Sequence, residues 1–263
     1  EARFEDNHGT ASWRDPATGL AVTAEIFTHS RFAAAEWVLS FENGGAQDTP
    51  IIEDVQALDI AQRTGDARQA LVMHELEGDA CGATSFLPKT TRMEPGTKID
   101  RAPTGGRSSS ISAFPFFTTE YNGQGFIVGI GWTGQWASHI ERIENGPVRM
   151  RAGMELTHLV LHPGERIRTP RMLVMAWAGD RTNAQNQFRR LMLLRAPQEQ
   201  GRPVRLPVAL QTFDRYNSRP EWTCEDGQVK AVDVAHELGC DTYWFDAAWF
   251  PKHFPNGVGS WFA

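Results

Sequence analysis

Residues 36–43 read Glu36-Trp37-Val38-Leu39-Ser40-Phe41-Glu42-Asn43, and this stretch decides the fold class. Trp37, Leu39 and Phe41 alternate with polar residues, and the turn sequence Asn43-Gly44-Gly45 follows. A period of two places apolar side chains on one face of a strand and polar ones on the other. The stretch therefore predicts an antiparallel strand whose Glu36, Ser40 and Glu42 side chains face water.

The same alternation recurs on both sides of this stretch, and turn clusters such as Asn122-Gly123 and Pro163-Gly164 separate the runs. The further runs are Leu20–Phe27, Phe126–Trp132 and Leu156–His162. Many short strands without a clear helix are typical of a sandwich. We therefore predict a large antiparallel β-sandwich over residues 1–178, with Trp37, Phe41, Val128, Ile130 and Trp132 buried. Trp132 and Trp136 are expected to share one strand face and to pack between the sheets.

The sequence pattern changes at Gly179-Asp180. Apolar residues at helical spacing predict a helix over Thr182–Ala196, with Thr182 or Asp180 as its N-cap and Pro197 at its end. A polar stretch, Gln198–Arg205, follows the helix. Residues 179–203 are therefore predicted to form a helical linker.

Residues 204–263 follow a different pattern, with a short apolar strand at Leu206–Thr212 and a second one at Asp241–Asp246. Between them, Gln228–Leu238 is an amphipathic helix that Gly239 terminates. Such a β-α-β unit predicts parallel neighbouring strands with a right-handed crossover. We expect the helix to pack on them through Val232, Ala235 and Leu238.

Two parallel strands cannot bury both faces of a sheet, so this unit is expected to need further strands. A complete (β/α)8 barrel takes roughly 250 residues. The predicted fold class is therefore mainly β, a large antiparallel β-sandwich followed by an incomplete (β/α)8 barrel. In this interpretation residues 204–263 are the truncated start of that barrel.

Several segments together resemble the family 36 glycoside hydrolases, the α-galactosidase-like enzymes of the melibiase group. No segment is diagnostic alone, but their order and spacing make the likeness fairly specific. The segments are Glu36–Asn43, Val55–Asp59, Gly105–Ser109, Gly129–Trp136, Thr157–Glu165, Arg168–Arg171 and Phe245–Phe250. In that family a β-supersandwich precedes a catalytic (β/α)8 barrel, which matches the change of pattern found above.

The resemblance implies a retaining hydrolase, an α-galactosidase, whose two catalytic aspartates lie on barrel strands after residue 263. The 263 residues alone are therefore predicted to be inactive. Asp246 is predicted to bind sugar hydroxyls at the mouth of the barrel, and Trp249, Phe213 and Asp214 are further substrate-binding candidates. Ala247 stands where the family often has a second aspartate, and Phe213 where it often has tryptophan. The alternative roles are that Asp246 caps its loop and that Trp249 packs against the rim.

The same sequence features are also compatible with two other functions. The sandwich is a candidate non-catalytic sugar-binding or assembly module, because it is rich in aromatic residues and precedes a linker. A galactosyl transferase of the raffinose-synthase type would share the fold, because water and sugar acceptors compete for one intermediate. The family also implies a homo-oligomer formed through the sandwich domain.

Composition restricts the remaining function classes. A net charge of −6 argues against nucleic-acid and membrane partners. Three widely spaced cysteines, Cys81, Cys224 and Cys240, favour a reducing compartment and predict a cytoplasmic protein. His158 and His162 would lie ~13 Å apart on one strand, too far to chelate one metal ion. Gly105–Ser110 lacks the phosphate-loop pattern of nucleotide-binding proteins. Neither a metal nor a cofactor is therefore predicted from these two sets of residues.

Overall fold

The computed structural model describes residues 2–63, 65, 71–144, 146–211, 224–246 and 256–259. The chain divides into two compact units, Glu1–Arg195 and Ala196–Ala263, which are described separately below. Within the described residues, no helix has the length and apolar character that crossing a membrane requires.

The first unit is built almost entirely from short β-strands and ends in one helix, whereas the second combines short strands with a helix. The strands are β1 Ala2–Glu5, β2 His8–Arg14, β3 Leu20–His29, β4 Ala34–Asn43, β5 Ile52–Glu53, β6 Gln56–Gln62, β7 Leu71–Leu76, β8 Pro88–Met93, β9 Lys98–Arg101, β10 Phe116–Glu120, β11 Gln124–Gly131, β12 Trp136–Arg142, β13 Val148–Met154, β14 His158–Leu159, β15 Arg166–Arg168, β16 Arg171–Ala178, β17 Gln198–Glu199, β18 Arg202–Pro203, β19 Ala209–Gln211 and β20 Thr242–Trp244. The helices are α1 Arg181–Leu193 and α2 Glu225–Glu237.

Two large antiparallel sheets form most of the first unit, and β5 and β14 form a small two-stranded antiparallel sheet beside them. The larger sheet has the strand order β1-β2-β3-β4-β16-β11-β10-β7-β8, with β15 also paired to β4. The smaller sheet has the order β6-β13-β12-β9. Side chains from one face of the larger sheet pack against the smaller sheet in a single hydrophobic cluster. This arrangement confirms the predicted antiparallel β-sandwich.

The core between the sheets contains the predicted residues Val128 and Ile130, which are 0% and 2% exposed. Trp37, Phe41 and Trp132 are only partly buried: Trp37 and Trp132 pack against this core, whereas Phe41 packs against a separate cluster. Trp37 lies at the edge of the core, where its indole Nε1 donates a hydrogen bond to the Ala57 carbonyl at 2.7 Å.

The prediction that Trp132 and Trp136 share one strand is wrong. Strand β11 ends at Gly131 and β12 begins at Trp136, so the two rings belong to the turn and the next strand. Trp136 is completely buried in the core and Trp132 packs against the same cluster. The chain passes from one sheet to the other here, and period-two counting does not detect such a crossing.

The prediction that Glu36 faces water is also wrong. The side chains of His29, Arg171 and Arg195 surround Glu36, so only 1% of this residue is exposed. The alternation itself is correct, because Ala34 on the same face packs with Leu173 and with Leu191 of α1. A helix layer has replaced the solvent that the pattern predicted on this face.

Helix α1 begins one residue earlier than predicted and ends at Leu193. Asp180 is the N-cap, and its Oδ1 accepts a hydrogen bond from the Asn183 backbone amide at 2.8 Å. Beyond the helix, the predicted linker contains the small hairpin of β17 and β18.

The predicted strand Leu156–His162 is reduced to the two residues of β14. Leu156 is 90% exposed, whereas Leu161 is buried. Thr49 and Asn43 satisfy the backbone of Leu161. The Thr49 amide donates to the Leu161 carbonyl at 3.0 Å, and Thr49 Oγ1 accepts from the Leu161 amide at 3.0 Å. Asn43 Nδ2 also donates to the Leu161 carbonyl, at 2.7 Å. The backbone around Leu161 is therefore hydrogen-bonded although it does not belong to a regular β-strand.

The predicted turn at Asn122-Gly123 is confirmed. Both residues have positive φ angles, 51° and 70°, as a two-residue hairpin turn requires. The turn joins β10 to β11, which pair from Phe116 opposite Gly129 to Thr118 opposite Ile127.

Candidate functional site

The candidate site lies in the second unit, at the carboxyl ends of two short parallel strands. Strand β19 pairs with β20 in the register Ala209 to Thr242, Leu210 to Tyr243 and Gln211 to Trp244. The predicted parallel pairing is therefore confirmed, although both strands are shorter than Leu206–Thr212 and Asp241–Asp246. In parallel sheets, both carboxyl ends meet at one edge, where α/β proteins place their sites.

Asp246 follows β20 by two residues and is partly buried at this edge. Its Oδ2 accepts a hydrogen bond from the Gln211 side-chain amide at 2.7 Å. Gln211 is the last residue of β19, so the bond joins the ends of the two strands. The arrangement orients a carboxylate that can accept hydrogen bonds from ligand hydroxyl groups.

The opposite edge of the strand pair is closed by Asp241. Its Oδ1 accepts from the Val208 amide at 2.9 Å, and its Oδ2 accepts from Arg205 Nη2 at 3.1 Å. These bonds hold the start of β20 against the start of β19. Asp241 is therefore a structural residue at the amino ends of the strands, away from Asp246.

Helix α2 contacts β20 through Tyr243, whose hydroxyl donates to Gln228 Oε1 at 2.8 Å. Gly227, Ala231 and Ala235 form its buried face. The predicted packing through Ala235 is confirmed, whereas Val232 and Leu238 are 47% and 68% exposed. The small residues at i, i+4 and i+8 form the buried face, and the sequence pattern had favoured the larger apolar residues.

Three predicted substrate-binding residues, Phe213, Asp214 and Trp249, lie outside the described residues. Of the predicted residues, the structure therefore places Asp246 alone. It adds Gln211, which the sequence interpretation had not selected. The available signal was its position at the end of a predicted parallel strand, next to the edge where Asp246 was expected.

The histidines considered as metal ligands lie in the first unit, and each contacts a different carboxylate. His158 Nδ1 lies 2.9 Å from Glu53 Oε2, and His162 Nδ1 lies 2.8 Å from Asp48 Oδ1. The hydrogen bond and charge of Asp48, with the charge of Glu165, raise the pKa of His162. Within the described part of the chain, no group of three or more His, Cys, Asp and Glu residues is arranged to hold a metal ion.

No protein-family model matches the sequence, and no curated protein matches it either. Solved structures do match. The GH36 α-galactosidase AgaB from Geobacillus stearothermophilus has a TM-score of 0.75 at 18% identity, covering 98% of this chain and 36% of its own. The α-galactosidase AgaA from the same organism has a TM-score of 0.69 at 18% identity, covering 90% of this chain and 32% of its own.

The chain shares its fold with GH36 α-galactosidases. The galactosidase domain of the α-galactosidase-sucrose kinase AgaSK is also similar, with a TM-score of 0.72 at 15% identity, covering 94% of this chain and 34% of its own. The chain thus spans about a third of the length of the solved structures that it matches. The resemblance found in the sequence is confirmed at the level of fold. Crystal structures of AgaA variants contain raffinose and stachyose.

Proposed function

We propose that this chain is part of a retaining exo-acting glycoside hydrolase that cleaves terminal α-galactosides. The observation that carries the proposal is the Asp246 carboxylate, which Gln211 orients at the carboxyl edge of two parallel strands. The fold shared with α-galactosidases over most of the chain supports this assignment. In this proposal β19 and β20 are the first two strands of a (β/α)8 barrel.

Asp246 is the proposed sugar-binding residue of the pocket. A carboxylate with two oxygens can accept from one protein donor and still bind hydroxyl groups of a pyranose. The Gln211 amide fixes its orientation, so less conformational freedom is lost when the sugar binds. Phe213, Asp214 and Trp249 remain proposed neighbours in the same pocket.

Retaining hydrolysis needs a nucleophilic carboxylate and an acid/base about 5–5.5 Å apart. We assign both to later strands of the proposed barrel. The first unit is the proposed scaffold on which that barrel folds, and also the surface through which copies of the protein assemble.

The test is an assay of the complete product of the parent gene against an aryl α-galactoside. We expect Asp246→Asn to lower kcat/KM by about a hundredfold or more, because the anionic acceptor is lost. Glu237→Gln, in the last turn of α2, is the matched control and should leave the rate unchanged. A wild-type protein without α-galactosidase activity, or equal activity in both variants, would contradict the proposal.

A further inference from the structure

A groove of about 450 Å³ lies in the first unit, between α1 and the strands β7, β8 and β10. Its helical side presents Arg181, Gln185, Phe188 and Arg189, whose spacing places them on one face of α1. Its volume falls within the range of about 300–1,000 Å³ that is usual for small-molecule sites.

The floor of the groove is aromatic. Phe116 lies 5.3 Å from Phe114 on one side and 5.3 Å from Phe188 on the other, measured between ring centroids. The second pair is edge-to-face, with an interplanar angle of 73°. Such a run of phenyl rings offers a flat or ring-shaped ligand an apolar surface.

The rim of the groove is cationic, although the whole chain carries a net charge of −6. Lys89, Arg181 and Arg189 line it. Among the described residues of the lining, the single acid is Glu75, whose side chain is fully buried. Glu75 already pairs with Arg101 at 2.6 Å and with Lys89 at 3.3 Å. Its charge is therefore compensated before any ligand arrives.

Arg181 is held in place on one side of the groove. Its Nη1 contacts both ring nitrogens of His74, and its Nε lies 3.8 Å from Glu120 Oε2. His74 Nε2 in turn lies 2.8 Å from that carboxylate oxygen. These contacts hold the Arg181 guanidinium at the rim of the groove, where it shares its charge with Glu120.

Arg189 provides the charge that is left uncompensated. Within the described residues it forms no ion pair, and its Nη1 donates a weak hydrogen bond to Asn186 Oδ1 at 3.3 Å. Arginine matches the geometry of phosphate oxygens with its planar fork of donors. A cation beside an aromatic floor fits a ligand that combines a ring with an anionic group.

We propose that this groove binds a phosphomonoester carried on a six-membered ring. The ring lies on Phe116 and Phe188, and the phosphate is bound by Arg189 with Arg181. The site belongs to the first unit and does not involve Asp246. A negative result here would therefore leave the proposed hydrolase activity untouched, and the reverse also holds. A sugar ring and an aromatic ring would both satisfy this chemistry.

Calorimetric titration of the 263-residue chain at low salt tests the proposal. The probes are phenyl phosphate and α-galactosyl phosphate, with inorganic phosphate, phenol and galactose as single-feature controls. We expect at least one ring phosphate to bind more tightly than every control and to lose affinity at high salt. The tighter of the two ring phosphates identifies the kind of ring.

Two variants locate the binding. Arg189→Gln should weaken binding about five- to tenfold, and Gln185→Glu should weaken it similarly by placing a negative charge on the rim. Arg190→Gln, one residue further along α1 and outside the groove, is the matched control. All three positions are exposed, and circular dichroism verifies folding. Absence of binding at millimolar concentrations, equal binding of inorganic phosphate, or an equal loss in Arg190→Gln would overturn the proposal.

Discussion

Glu36 Oε1 lies 3.1 Å from His29 Nε2, with the Glu36 side chain almost completely buried. Arg171 Nη1 approaches the other carboxylate oxygen at 3.5 Å, and Arg195 also contacts Glu36. A buried carboxylate is tolerated only when it is paired in this way. The cluster joins strands β3, β4 and β16 to the residues that follow α1.

Replacement of Glu36 by glutamine should lower the free energy of unfolding by about 2–4 kcal/mol, because two arginines lose their counter-charge. Glu42→Gln on the same strand is the control, since Glu42 is exposed. Its effect should stay within about 0.5 kcal/mol. Urea unfolding followed by tryptophan fluorescence measures both variants, and equal losses would contradict the role assigned to Glu36.

The same cluster predicts a pH dependence of stability. Burial lowers the pKa of His29 and the positive charge of Arg195 adds to this effect, even though Glu36 is adjacent. The unfolded chain keeps a histidine pKa of about 6.5. A lowered pKa in the folded state means that neutral His29 stabilises the fold fully above pH ~6.5 and that this contribution is lost as the pH falls below that value.

The direction of this pH dependence is tested by measuring the free energy of unfolding of the wild type and of His29→Asn above and below pH ~6.5. The stability difference between the two proteins should shrink on acidification. Should it grow instead, the protonated form of His29 would be the one that Glu36 stabilises, and the assigned direction would be wrong.

A substitution in the sandwich core should lower the free energy of unfolding far more than one on its surface. Trp136 is fully buried, and its Nε1 donates to the Ser108 carbonyl at 2.7 Å. Trp136→Ala should therefore lower the free energy of unfolding by about 3–5 kcal/mol through the cavity and the unpaired carbonyl. Trp13 is 59% exposed on β2, so Trp13→Ala should cost much less. Comparable losses in the two variants would contradict the placement of Trp136.

The sequence predicted the sandwich because period-two alternation and glycine-containing turns are local signals. Asn122 and Gly123 show this well, since their positive φ angles are what such a dipeptide favours. The environment of Glu36 was not predictable in this way, because Arg171 and Arg195, which pair with it, come from distant parts of the chain. Alternation in the sequence distinguishes the two faces of a strand but does not show which other residues pack on each face.

At the candidate site, too, the sequence predicted one residue and missed another. Asp246 was selected because a strand ends just before it, and the structure places it at the expected edge. Gln211 was missed because its role depends on the register between β19 and β20, which sequence spacing does not fix. On α2, Ala235 was predicted correctly, but Gly227 and Ala231 were not selected, because hydrophobic periodicity gives larger residues such as Val232 more weight.

The last prediction is that the 263-residue chain, expressed alone, does not hydrolyse an α-galactoside. Double displacement needs two carboxyl groups on opposite sides of the scissile bond, held about 5–5.5 Å apart. Among the described acids of the second unit, Asp241 is bound at the opposite edge by Val208 and Arg205. Of the others, apart from Asp246, Glu199 belongs to strand β17, and Glu225, Asp226, Asp233 and Glu237 belong to helix α2.

We assign neither the nucleophile nor the acid/base role to Asp246, because both are proposed to lie on later strands of the barrel. The measurement is turnover of an aryl α-galactoside by the purified chain and by its Asp246→Asn variant, beside an intact α-galactosidase as the positive control. We expect both proteins to match the buffer blank. Turnover by the wild type that the substitution abolishes would place a catalytic carboxylate at Asp246 and would overturn its assignment as a sugar-binding residue.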